Sequence, residues 1–198
     1  MSQRLLEENL VRLADLLKPI VCEGDMLMKY DWYEIIEGDE IQQGDIIRSC
    51  PILVPPSTLA RIEQDIKVEE YDVIVMSQSC DLAQQKINLV LVCPIWTLEE
   101  FEQENSNYKS PKMKEAIRRG EVPGYHMLNR CEIPGFESSY QIVDFKNTYA
   151  VHFNFLKKFT ATLGKRVRLL PPYREHLSQA FARFFMRVGL PTDIPSFK

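Results

Sequence analysis

The chain has 198 residues, 45% of them hydrophobic, 10% aromatic and 26% charged, with a formal net charge of −4. This mixture excludes a wholly disordered chain, because a length near 200 buries roughly 70% of its unfolded surface and builds a core without disulfides or metal. No run of about 18 apolar residues is present, and Glu7, Glu8 and Asp15 interrupt the stretch where a secretory leader is apolar, so the sequence reads as soluble, unexported and not membrane-bound.

In chain order, Leu6, Leu10, Leu13 and Leu17 recur at helical spacing before Pro19, which predicts an amphipathic helix within 1–19. Residues 20–43 read as irregular chain with one short strand. Three apolar bursts then predict strands at 44–54, 71–77 and 87–95. In the middle burst Val73 and Val75 face one way and Ile74 and Met76 the other, so that strand belongs in the centre of its sheet. Between the first two strands lies a detour through Pro55 and Pro56, where Ser57 can cap one or two helical turns. Residues 97–139 read as an insertion or lid containing a short basic helix.

The bursts at 140–145 and 149–153, separated by Lys146, Asn147 and Thr148, predict a hairpin. A helix from Asn154 closes near Gly164, a strand occupies 166–170, and a final helix from Tyr173 carries Leu177, Phe181, Phe184, Phe185 and Val188 on one side before Gly189 and Pro191. The expected fold is α+β in a single domain, 1–198: a small antiparallel SH3-like barrel or bent sheet over 44–153 with the 97–139 insertion, an N-terminal helix, and a basic helical part from 154.

The charge is unevenly placed. Residues 157–187 hold eight Lys and Arg and one acid, Glu175, a balance of +7 that leaves −11 on the other residues. Arg166 and Arg168 project from one face of a strand, Arg183 and Arg187 from one face of a helix, and Arg174 opens that helix. Such a segment suits phosphates, or else pairs with the surplus acids of 34–45 (Glu34, Glu37, Asp39, Glu40 and Asp45) and of 63–72, within the chain or across a homodimer. Internal or subunit pairing ranks slightly ahead. Five cysteines with no short-spaced pair fit a reducing cytoplasm, and with His126, His152 and His176 they show no zinc-type spacing, so neither metal nor cofactor is expected.

Gly44-Asp45-Ile46, the strand ending Val75-Met76-Ser77, and the partner strand running through Cys93-Pro94-Ile95 to Thr97 resemble the PemK/MazF toxin family of SH3-like barrels over about 44–100. The resemblance implies metal-free RNA cleavage by an Arg before the central strand and a Thr or Ser after its partner. Thr97 matches the second position. Where the family has Arg-Pro, this sequence has Val68-Glu69-Glu70-Tyr71, and two acids beside a phosphate path repel it. Arg48 and Arg61 are the nearest substitutes. Loss of the expected Arg favours a toxin-like or phage-defence-type barrel that holds a regulatory or antitoxin-like protein without catalysis. RNA cleavage through Thr97, Arg48 and Arg61 is the alternative.

Ser77-Gln78-Ser79-Cys80-Asp81 ends a buried strand. It reads either as a polar turn with Cys80 tucked inside, or as a thiol nucleophile of a hydrolase assisted by His126 or His152. The adjacent Asp81 opposes a thiolate, and no glycine flanks Cys80, so the turn is preferred.

Overall fold

The computed structural model describes residues 30–55 and 67–186. The expectations for the 1–19 helix, Cys22, the Ser57 cap, Arg61, Arg187 and the Gly189–Pro191 stop lie outside the described residues.

The chain folds as α+β around an eight-stranded antiparallel sheet. Its strands are β1 (Tyr33–Glu37), β2 (Asp45–Val54), β3 (Lys67–Val75), β4 (Leu89–Thr97), β5 (Tyr125–Leu128), β6 (Gln141–Asp144), β7 (Tyr149–His152) and β8 (Lys165–Leu169). The order is β1-β8-β2-β3-β4-β6-β5, with β7 also on β4. Five α-helices are described: α1 (Ser79–Ala83), α2 (Leu98–Glu104), α3 (Pro111–Arg118), α4 (Phe153–Leu163) and α5 (Tyr173–Phe185).

Alternation along the strands divides the apolar residues between two layers. Ile46, Ile74, Cys93, Val143 and Val167 join one core, which Leu177 and Phe181 of α5 cover. Ile47, Val73, Val75, Val92 and Val151 join the other, capped by Leu82 of α1 and Leu156 of α4. As the sequence predicts, β3 is central, with Val73, Ile74 and Val75 fully buried between β2 and β4. Gly44 sits at a crossing: its N–H donates to Val75 O and its carbonyl accepts from Leu169 N, both at 2.9 Å. With φ at +86° and Leu169 Cβ 3.1 Å from where a Cβ would stand, only glycine fits without strain.

Two expectations change. The short basic helix expected within 97–139 is α3, but the stretch is more regular than expected: it also contributes α2 and the edge strand β5, and closes a third core of Phe101, Ile117, Tyr125 and Ile142. Residues 140–153 do not form a hairpin, because β6 and β7 do not pair with each other. Both run along the same edge of β4, where Val92 opposes Tyr149 and Ile95 opposes Val143, so six steps on one side match three on the other. Asp144 holds the looped-out residues, accepting from Lys146 N (2.9 Å) and Asn147 Nδ2 (2.7 Å). A local carboxylate thus makes the turn that the sequence announced, while long-range pairing with β4 sets the strand direction.

Candidate functional site

An apolar concavity follows from a defect in β2. Between Ile47 and Cys50 the register with β3 shifts by one residue, and Ser49 takes φ +48° while its N–H donates to Asp72 Oδ1 at 2.9 Å. Such a bulge bends its strand and increases its twist. Before it, Asp45 and Ile46 pair with β8 on one side and Ile46 and Ile47 with β3 on the other. After it, residues 50–54 pair with β3 alone. On the far flank β7 pairs only with β4.

Between these two edges, unpaired among the described residues, runs a groove of about 370 Å³ lined by Pro51, Ile52, Leu53 and Val68 on one wall and by 149–152 and Phe155 on the other. Leu53 and Val68, cross-strand partners, are 68% and 60% exposed. Tyr71 and Tyr149 stack beside the groove with centroids 5.8 Å apart, and His152 caps α4 by accepting from Asn154 N. Pro51 has no N–H to donate, which suits it to an edge. An apolar seam flanked by unmet backbone donors and acceptors is the chemistry that an added strand satisfies.

Among the described residues, those singled out in the sequence do not assemble into one site. Thr97 is the N-cap of α2. Its hydroxyl donates to Glu100 Oε2 (2.8 Å) and accepts from Glu100 N (3.2 Å), while Glu100 Oε2 also receives Thr97 N, completing a capping box. Arg48 projects from the β2 bulge over the Phe136 ring, 5.7 Å from its centroid. Among the described residues no hydrogen bond or ion pair joins Arg48 to Thr97.

Arg166 and Arg168 are buried at 3% and 7% exposure, and both bind Asp45, which is fully buried. Arg166 also donates to the carbonyls of Gly38 and Glu40. Of the two roles considered for these arginines, pairing with the acids of 34–45 is therefore the one observed, and neither guanidinium is presented to a phosphate. Arg183 is exposed on α5, and no described ion pair holds it.

Cys80 is not tucked inside. It is exposed on the single turn of α1, with Asp81 Oδ1 3.8 Å from its sulfur. The polar string therefore forms a helical turn whose hydroxyls serve the fold: Ser77 Oγ accepts from Leu91 N and Ser79 Oγ from Gln43 N. Cys80 and Arg174 do share a polar cleft of about 380 Å³ between α1 and α5, bridged by Gln78 Nε2 donating to Ser178 Oγ at 3.3 Å. Arg174 is turned toward Glu175 Oε1 at 2.9 Å.

No imidazole lines this cleft among the described residues. His126 is packed against Phe145, and burial, helped by His176 and Arg183, pulls its pKa down to about 4. His152 belongs to the apolar groove. The buried thiols of Cys50 and Cys93 are pushed up by desolvation, to about 11 and about 12. Among the described residues no three His, Cys, Asp or Glu gather around a metal position, and no helix is long and apolar enough to cross a membrane.

The seam itself escaped sequence reading, although the unbroken run Pro51-Ile52-Leu53-Val54 carries its signal: an apolar strand with no polar face has a second surface to cover. No protein-family model matches the chain, and neither curated proteins nor solved structures give a match.

Proposed function

We propose that this chain is a non-catalytic binding module, a toxin-like or phage-defence-type small barrel whose β2–β7 seam takes an extended segment of a regulatory or antitoxin-like protein. The observation that carries the reading is the seam: two strand edges, unpaired among the described residues, face each other across exposed Leu53, Val68 and Phe155. A segment with alternating apolar side chains would hydrogen-bond an edge through its backbone and bury those residues, each full burial contributing about 1.5–3 kcal/mol. What weighs against RNA cleavage is that Thr97 is committed to its capping box and the buried Arg166 and Arg168 to Asp45.

The test is selection of displayed random dodecapeptides on the full chain, followed by titration of the best binders. Extended peptides with apolar residues at alternate positions are expected, their affinity falling at least about tenfold for Leu53→Glu with Val68→Glu, a loss of one side chain's burial. Thr97→Ala is expected to leave the affinity unchanged. Peptides that bind the Leu53→Glu, Val68→Glu protein as well as the parent overturn the reading. So does metal-free shortening of a long RNA that Thr97→Ala abolishes.

A further inference from the structure

A second concavity shares no residue with the seam. It lies where the chain enters β1 and meets the 129–140 loop, with a volume of about 550 Å³. Three of the rings in its lining are Tyr30, Trp32 and Tyr140, and its carboxylates are Asp31 and Glu132. Tyr30 is 50% exposed, whereas Trp32 is fixed by stacking on Tyr173, centroids 3.6 Å apart and planes within 9°. Tyr33 anchors the wall, donating its buried hydroxyl to Asn129 O at 2.6 Å.

Among the described residues neither Asp31 nor Glu132 has a hydrogen-bond or salt-bridge partner, although Glu132 lies near enough to Arg130 to help raise its pKa, and both are exposed. The one cation among the described residues of the lining, Arg130, is already seated: its guanidinium lies 4.9 Å from the Tyr140 centroid and donates to the Tyr140 hydroxyl at 3.1 Å. The adjoining hollow shares Arg130, Glu132 and Tyr140 and adds Glu137, which raises the acidic excess.

Aromatic faces attract cations through their quadrupole, and carboxylates at the rim add charge complementarity. A planar guanidinium suits both, stacking on a ring while donating in a fork to a carboxylate. We propose that this cleft binds an arginine side chain of a partner polypeptide, held by Trp32 and Tyr30 with Asp31 and Glu132 as counter-charges. Arg130 on Tyr140 shows the same pairing made within the chain. The proposal is independent of the seam, and its failure leaves the seam reading standing.

Trp32 supplies the readout. The sequence has two tryptophans, so Trp96→Phe in the full chain leaves Trp32 as the sole indole. Titration with acetyl-Gly-Arg-Gly-amide is expected to change its emission saturably. The neutral citrulline analogue is expected to bind at least about tenfold more weakly, with the lysine peptide between them. Raising salt is expected to weaken the arginine peptide, as is Asp31→Asn with Glu132→Gln, two exposed substitutions that leave the core untouched. Citrulline binding as tightly as arginine, or an affinity indifferent to both carboxylate substitutions, overturns the proposal. So does the absence of a saturable response in the folded protein. To guard against misfolding of the Trp96→Phe protein, the same comparison is made on the parent by NMR of the indole N–H groups, where a shift at Trp32 is required.

Discussion

Replacing Asp45 with asparagine removes the negative charge that two buried guanidiniums share. The carboxylate accepts from Gln42 N at 3.2 Å, from Arg166 Nε and Nη2 at 3.1 and 2.9 Å, from Arg168 Nη2 at 3.2 Å, and from Arg168 Nε. The replacement amide would keep one oxygen and set an NH₂ against guanidinium donors, leaving two cations desolvated without their counter-charge. Breaking a buried pair in this way costs about 3–5 kcal/mol. Against a typical stability of about 5–15 kcal/mol that is a large share, and at a urea dependence of about 2 kcal/mol per molar the midpoint should fall by about 2 M.

The assay is equilibrium urea unfolding followed by circular dichroism, repeated at low and high salt. The loss should persist at both, because buried charges are screened little. Exchanging all three groups together, Asp45→Leu with Arg166→Met and Arg168→Met, should bring stability closer to the parent than Asp45→Asn does, since no charge is then left unpaired. A midpoint within about 0.3 M of the parent for Asp45→Asn, below about 1 kcal/mol on the same scale, refutes the reasoning.

Thr97→Ala should cost about 1 kcal/mol through loss of the α2 cap, and Thr97→Asp should restore most of it; urea midpoints check both, and equal stability of Ala and parent would remove the capping role. His126 titrates near 4 when folded against about 6.5 in the unfolded chain, so the unfolded state takes up the proton first. Stability is therefore full above about pH 6.5 and declines as pH falls toward 4, by at most about 3 kcal/mol. His126→Met should flatten that part of the profile, and an unchanged slope would contradict it. Iodoacetamide at neutral pH should alkylate exposed Cys80 in the folded protein well before Cys50 or Cys93, as mass spectrometry of digests would show. Comparable labelling of Cys93 would mean that the core is open.

The strands were legible wherever their apolar residues stood together. Val73 to Met76 announced a strand covered on both sides, and the β8–α5 succession with its terminal arginines was also readable. The short basic helix α3 was readable too, but α2, β5 and the core they share were not, because Phe101, Ile117 and Tyr125 are spread singly among charges and declare a core only once β4 and β6 bring them together. The loop between β6 and β7 had the composition of a hairpin turn, and nothing local distinguishes a turn that reverses the chain from one that lets it continue along β4. The acids of 34–45 were recognisable as partners for the arginines as a group. That Asp45 alone takes both Arg166 and Arg168 depends on contacts more than 120 residues apart in sequence. The seam is an absence of pairing, and absence has no periodicity.

β2 is held very differently at its two ends. Its beginning is stapled by Asp45 to β8, while beyond the Ser49 kink its second half, among the described residues, answers only to β3. On the proposed reading of the seam, substitutions at Leu53 or Val68 can therefore change what the open end accepts without disturbing the ionic staple that holds β2 to β8. If the seam binds as proposed, recognition and thermodynamic robustness fall to opposite halves of one ribbon, so the first can be retuned while the second is left alone.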